Sequence, residues 1–101
     1  MFEKMYFVTN HAIERYKERV SDIYTSVIIR KMLESMQDAR VIKRTYRSGE
    51  IYHCRVNGCD IFPIVYPPDH AKGGWPVIIT IITAETQEGG ELLRRAKKLW
   101  K

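Results

Sequence analysis

Three side chains in "HAIERYKERV", residues 11 to 20, have the types and the spacing to hold a phosphate: His11, Arg15 and Arg19 recur every four residues. At ~100° per residue they fall within about 80° of one another, along one line of a helix. Guanidinium groups are always charged and grip two oxygens at once. Imidazole, with an unperturbed pKa of ~6.5, can move protons near neutral pH. Like charges at this spacing repel by only about a few tenths of a kcal/mol, so the helix tolerates them. The same residues also read as an ordinary helix border: Arg15 can pair with Glu18, Arg19 with Asp22, and His11 can help satisfy the helix start.

A second set lies in the middle of the chain. His53 and Arg55 alternate along "YHCRVNG" and so share one strand face, where a solvated sheet surface is the expected setting. Tyr46, Tyr52 and Tyr66 are expected to pack at edges, although tyrosines beside a basic strand can also stack on bases. Zinc is not expected from His53, Cys54, Cys59 and His70: adjacent His53 and Cys54 point to opposite faces, and no Cys-x-x-Cys spacing occurs. In the Asn57-Gly58 hairpin Val56 faces Cys59, leaving Cys54 diagonal and too far for a disulfide, so both cysteines are read as reduced thiols.

The elements that must position these groups are legible in outline. Thr9 and Asn10 suit a helix cap, with Ala12, Ile13, Tyr16 and Val20 as the apolar face of the first helix. Ser21 or Asp22 ends it. Thr25 or Ser26 can cap a second helix in which Ile29, Leu33 and Met36 recur, ending near Gln37. From Arg40, "RVIKRTYRSGEIYHCRVNGCDIFPIVY" is rich in β-branched and aromatic residues and broken at Ser48-Gly49 and Asn57-Gly58, a three-strand antiparallel meander.

Two registers remain for its first hairpin, one placing Arg44 opposite His53 and the other Thr45. Pro63 implies an edge, a bulge or a strand end. After the loop "PPDHAKGGWP", the strand "VIITIITA" is apolar enough to be central, and Gly89-Gly90 lead into a last amphipathic helix with Leu92, Leu93, Ala96, Leu99 and Trp100 on its apolar side. The early "MYFV" is either a strand or an N-terminal staple. The expectation is an α+β fold: two N-terminal helices, a four-stranded antiparallel sheet and a C-terminal amphipathic helix.

A chain of 101 residues, 45% hydrophobic and 29% charged, suits a single domain over residues 1–101. No apolar run approaches the ~18 residues of a membrane span, and "MFEKMYFVTN" lacks the apolar centre of a secretion signal, so a cytoplasmic location without membrane contact is expected. The formal charge is +5, but residues 91 to 101 hold five basic residues against one acid and so carry +4 of it. Any functional positive surface must therefore be a local arrangement.

The helix "HAIERYKERV", the following helix, the meander containing "YHCRVNG" and the strand "IITIIT" together resemble, over roughly residues 6 to 86, the small BrnT-like proteins of phages and bacteria within the RelE-type, barnase-like ribonuclease toxins. That resemblance implies a metal-independent, cofactor-free endoribonuclease of the toxin–antitoxin kind, or a descendant that keeps the fold to bind RNA, a nucleotide or a host protein. By residue it extends to His11, Arg15 and Arg19, with Thr83 at the sheet end. RNA cleavage of this kind needs a base for the 2′-hydroxyl, cations on the phosphorane and an acid for the leaving 5′-oxygen. His11 and His53 would share the proton transfers if the sheet brings them to one phosphate, Arg15 and Arg19 would clamp it, and Arg44, Arg55 and Tyr46 would extend the binding surface. RNA or another phosphate-bearing ligand is the expected partner, with an antitoxin or host protein as a second.

Overall fold

Thr9 starts the first helix by accepting the Ala12 N–H on its hydroxyl at 3.2 Å, which satisfies one of the donors a helix start leaves open. In the computed structural model, which describes residues 2–44 and 49–99, eight elements follow one another. They are β1 (Phe7–Val8), α1 (Asn10–Arg19), α2 (Thr25–Met36), β2 (Arg40–Arg44), β3 (Glu50–Val56), β4 (Cys59–Asp69), β5 (Trp75–Thr83) and α3 (Gln87–Leu99), with a single 3₁₀ turn at His70–Lys72 between the last two strands. The fold is α+β.

The sheet has five strands in the order β1-β5-β4-β3-β2, and β1 runs parallel to β5 while the other pairs are antiparallel. The expected four-stranded antiparallel sheet is corrected by this extra strand. Within "MYFV", Phe7 and Val8 become an edge strand because Thr9 is tied to β5: its N–H and hydroxyl both donate to the Ile78 carbonyl, at 3.2 and 3.0 Å. The same cap that starts α1 thus fixes β1 beside β5.

Each face of the sheet is covered by different helices. On one face Ala12, Ile13 and Tyr16 of α1 and Ile28, Met32, Leu33 and Met36 of α2 pack with Cys54, Val56, Ile61, Val65, Ile78 and Ile81. On the other, Leu92 and Ala96 of α3 pack with Ile42, Ile51, Phe62 and Ile82. Each fully buried side chain of this size contributes about 1.5–3 kcal/mol of transfer free energy. In α2 the deepest residues are Ile28, Met32 and Met36; Leu33 is buried as expected, and Ile29 is only partly so. Its first turn is held by the Tyr24 carbonyl alone, so neither Thr25 nor Ser26 acts as the cap.

The Asn57-Gly58 turn has φ of 52° and 79°, the two positive angles that a type I′ hairpin needs, and it sets Val56 opposite Cys59 as its sequence implies. Both cysteines are free thiols. The first hairpin takes neither expected register: β2 pairs Arg40 with His53 and Arg44 with Glu50, with a bulge at Ile42. The bulge turns Ile42 into the α3 core, a tertiary demand that outweighs loop length. Residues 45–48, Tyr46 among them, lie outside the described residues, so the Tyr46 expectation does too.

Pro63 sits inside the sheet, opposite Ile81, and not at an edge or strand end; of the three expectations it is the bulge that β4 shows, as a register shift against β5 between Ile64 and Val65. The β3–β4 pairing is interrupted beside it, between Ile51–Ile64 and Cys54–Ile61, where a missing N–H leaves no donor. The last helix begins earlier than its glycines suggest. Thr86 caps it by accepting the Gly89 N–H at 2.9 Å. Gly89 lies so close to the Thr83 carbonyl that a β-carbon there would run into it. That contact seats α3 against the end of β5. Trp100 is outside the described residues, and Leu99, expected on the apolar side, is 54% exposed.

Candidate functional site

The line His11–Arg15–Arg19 exists on α1, along the border between its buried face and solvent. Two of its three side chains have partners within the protein. Arg15 donates to Glu18 at 2.8 Å. Arg19 reaches across to β5 and donates to the Ile81 carbonyl at 3.2 Å, not to Asp22. That carbonyl is available because β1 covers β5 only at Val77 and Ile78, leaving the strand edge beyond it open. His11 is exposed at the start of the helix, two turns and ~12 Å along the axis from Arg19. None of the five principal clefts among the described residues is lined by any of the three.

Arg19 and Thr83 both lie near Glu85. Thr83, buried at the end of β5, lies in the same corner as Glu85 just after it. The Thr83 hydroxyl reaches no partner at full hydrogen-bond geometry. Its approach to the Glu85 carboxylate, together with the backbone amide of Glu85 and the Arg19 guanidinium, holds that exposed carboxyl below its usual range. The corner combines a cation, a hydroxyl and an ionised carboxylate, a set that can orient a phosphodiester and accept a proton.

His53 is elsewhere. Its ring is buried, 1% exposed, and lies 5.0 Å from the Phe62 ring on the face covered by α3. The expected solvated surface is corrected: α3 closes over this face, and Asp60 supplies the polar partner, its Oδ1 lying 2.8 Å from His53 Nε2. Arg55, exposed as expected, shares the same Asp60 oxygen at 3.4 Å and donates to the Gly58 carbonyl.

The sheet therefore stands between His11 and His53. Cys54, next to His53, faces the α1–α2 core, and successive strand residues point to opposite sides. The proposed sharing of proton transfers between these two histidines is not available in this arrangement. The signal that could have shown it was in the sequence. Cys54 and Val56 continue the apolar alternation that belongs to the two-helix core, so position 53 belongs to the other side.

Of the remaining nominated residues, Arg44 is exposed and pairs with Glu50 at 3.3 Å. Tyr52 is half-buried between Glu50 and the two-helix core, and burial with the neighbouring Glu50 pushes its hydroxyl up to about 12. Burial likewise pushes the Cys54 thiol up to about 11, against a weaker opposing hydrogen bond to Ser35. Among the described residues no group of three or more His, Cys, Asp or Glu is placed to hold a metal ion. No helix among them is long and apolar enough to cross a membrane.

One cleft that sequence reasoning did not single out lies between α3 and the edge strand β2. It is about 380 Å³, floored by Ile42 and Leu99 and rimmed by Glu91, Arg94, Arg95 and Lys98. Only the pairing of α3 with β2 brings these segments, about 50 positions apart in the chain, together. No family model matches the chain, and neither a curated protein nor a solved structure matches it.

Proposed function

We propose that this protein is a non-catalytic, RNA-binding regulator of the kind found among phage and mobile-element genes, built on a scaffold that resembles the BrnT-like ribonuclease toxins. The observation that carries this reading is the separation of His11 from His53 by the sheet. Cations able to hold phosphates remain, but the histidine pair that would move protons at one phosphate does not form. The test is to incubate the pure protein with a labelled structured RNA in EDTA and follow both gel mobility and RNA length. A stable complex with intact RNA is expected; shortening of the RNA would overturn the reading.

A second reading, a toxin-like metal-independent endoribonuclease, is favoured by the Arg19–Thr83–Glu85 corner. In it the Glu85 carboxylate takes the 2′-hydroxyl proton, the 2′-oxygen attacks phosphorus, Arg19 stabilises the added charge, and the 5′-oxygen leaves with a proton from water. An antitoxin or host protein would then be its natural partner. Should the wild type cut RNA, Glu85→Gln must lose that cutting without unfolding; retention of it would remove Glu85 from the reaction.

A further inference from the structure

The strongest concentration of uncompensated charge is on the opposite edge of the sheet from α1. β2 is the edge strand there, and the exposed Lys43 and Arg44 stand on it. α3 lies alongside. The Arg95 Nε donates to the Ile42 carbonyl at 2.7 Å, and Arg94, Arg95 and Lys98 rim the cleft over Ile42 and Leu99. Arg44 is balanced by Glu50. Glu91 is the one carboxylate on the cleft rim, and it forms no ion pair with Arg94, Arg95 or Lys98 among the described residues.

We propose that RNA runs along this edge, its phosphates held by Lys43 on β2 and by Arg94, Arg95 and Lys98 around the cleft that Ile42 and Leu99 also line. This rests on the RNA-binding reading given above and deepens it by assigning the surface. Arg94 and Lys98 are one turn apart on α3, ~6 Å along the axis, so they can meet successive phosphates of one strand. The Arg95 guanidinium spends one of its five donors on Ile42 and keeps the others for a ligand.

Two other occupants fit less well. A membrane surface would need the apolar side of α3, but Leu92 and Ala96 are buried against the sheet. An acidic peptide added as a sixth strand would need a regular edge, but β2 is bulged at Ile42 and the carbonyl there is already taken by Arg95. The edge offers charge more than backbone pairing, which is what a polyphosphate strand uses.

The test uses a fluorescein-labelled 20-nucleotide oligouridine, with anisotropy titrations of the full chain across a salt series. Lys43→Glu/Arg94→Glu/Lys98→Glu is expected to weaken binding at least tenfold and to lower the slope of log affinity against log salt by about 2, from ~0.7 per lost phosphate contact. The neutral set Lys43→Gln/Arg94→Gln/Lys98→Gln should lower the slope similarly with a smaller loss of affinity, and unchanged thermal melts establish that both sets fold. No binding by the wild type would remove the RNA-binding reading itself. Wild-type binding that survives both sets but is lost in Arg15→Glu/Lys17→Glu would overturn this surface alone, returning the RNA to α1. Polyglutamate displacing the RNA at equal charge concentration would also overturn it, in favour of an acidic protein.

Discussion

The two edges of the sheet are closed in the same way and left in different electrostatic states. At the β5 edge Arg19 caps the Ile81 carbonyl, and at the β2 edge Arg95 caps that of Ile42, each guanidinium reaching from a helix packed on a face. Around Arg19 the charges are already matched: Arg15 is paired with Glu18, and Glu85 lies beside Arg19. Around Arg95 they are not: Arg94 and Lys98 share the cleft with Glu91 and form no ion pair with it among the described residues, and Lys43 is exposed on β2. A cationic line in a sequence is thus open to a ligand only where the fold leaves its charges unmatched. Surface ion pairs contribute little to stability, about 0–1 kcal/mol, but they remove charge from what a ligand meets.

The largest effect on this comparison comes from dislodging the helix that makes one edge. Gly89→Ala would push a β-carbon into the Thr83 carbonyl. The ~1 kcal/mol that alanine gains in a helix interior is outweighed by overpacking against rigid backbone, for a net loss of about 3 kcal/mol. Urea denaturation measures it, and an unchanged midpoint would show that α3 is not seated by this contact.

Alkaline pH separates the two faces rather than the two edges. The Cys54 thiol, on the α1–α2 side, keeps its proton to about 11 when folded, against an ordinary value of 9.0. A raised folded value means that stability is fully present below about pH 9 and is lost as pH rises toward 11, on the order of 2–3 kcal/mol. Urea midpoints taken from pH 8 to 11 should fall for the wild type and fall less for Cys54→Val. Equal slopes would show that the thiol is not the group responsible.

The edges themselves are compared by removing their caps. Arg95→Ala is expected to cost about 1.5 kcal/mol and Arg19→Ala about 1, since charged donors to carbonyls are worth more when short and well covered. The hydrogen bonds differ in length, 2.7 against 3.2 Å. A larger loss at Arg19 would reverse the ranking. Least of all, Arg15→Ala should change stability by only ~0.3 kcal/mol, the value of an exposed helical ion pair, and a loss above about 1 kcal/mol would mean that Arg15 has packing the ion pair does not describe.

Local chemistry made much of this protein readable in advance. Thr9 announces the first helix, Asn57-Gly58 the hairpin and its register, and the run from Val77 to Thr83 a strand buried on both faces. Each of these follows from a few neighbouring residues: a side-chain oxygen that satisfies a helix start, a dipeptide that accepts positive φ, an unbroken apolar run. The long-range features were not readable in the same way. Phe7 and Val8 are too few to signal a strand, and only Thr9 reaching Ile78 makes them one. The register of β2 follows from Ile42 turning into the α3 core, and no loop length encodes that.

The site divides along the same line. Residue types and spacing by themselves determined which groups carry charge or can move a proton, and that His11, Arg15 and Arg19 share one side of a helix. Only the tertiary structure decided which of those charges are spent. Arg15 pairs with Glu18 and Arg19 comes to lie near the Glu85 carboxylate, His53 is buried beside Phe62 with Asp60, and Arg94, Arg95 and Lys98 gather beside β2 around a cleft lined by one carboxylate, Glu91. The physical reason is that a side chain's charge is a property of the residue, whereas its availability depends on whatever partner packing brings within about 4 Å, and such partners come from anywhere in the chain.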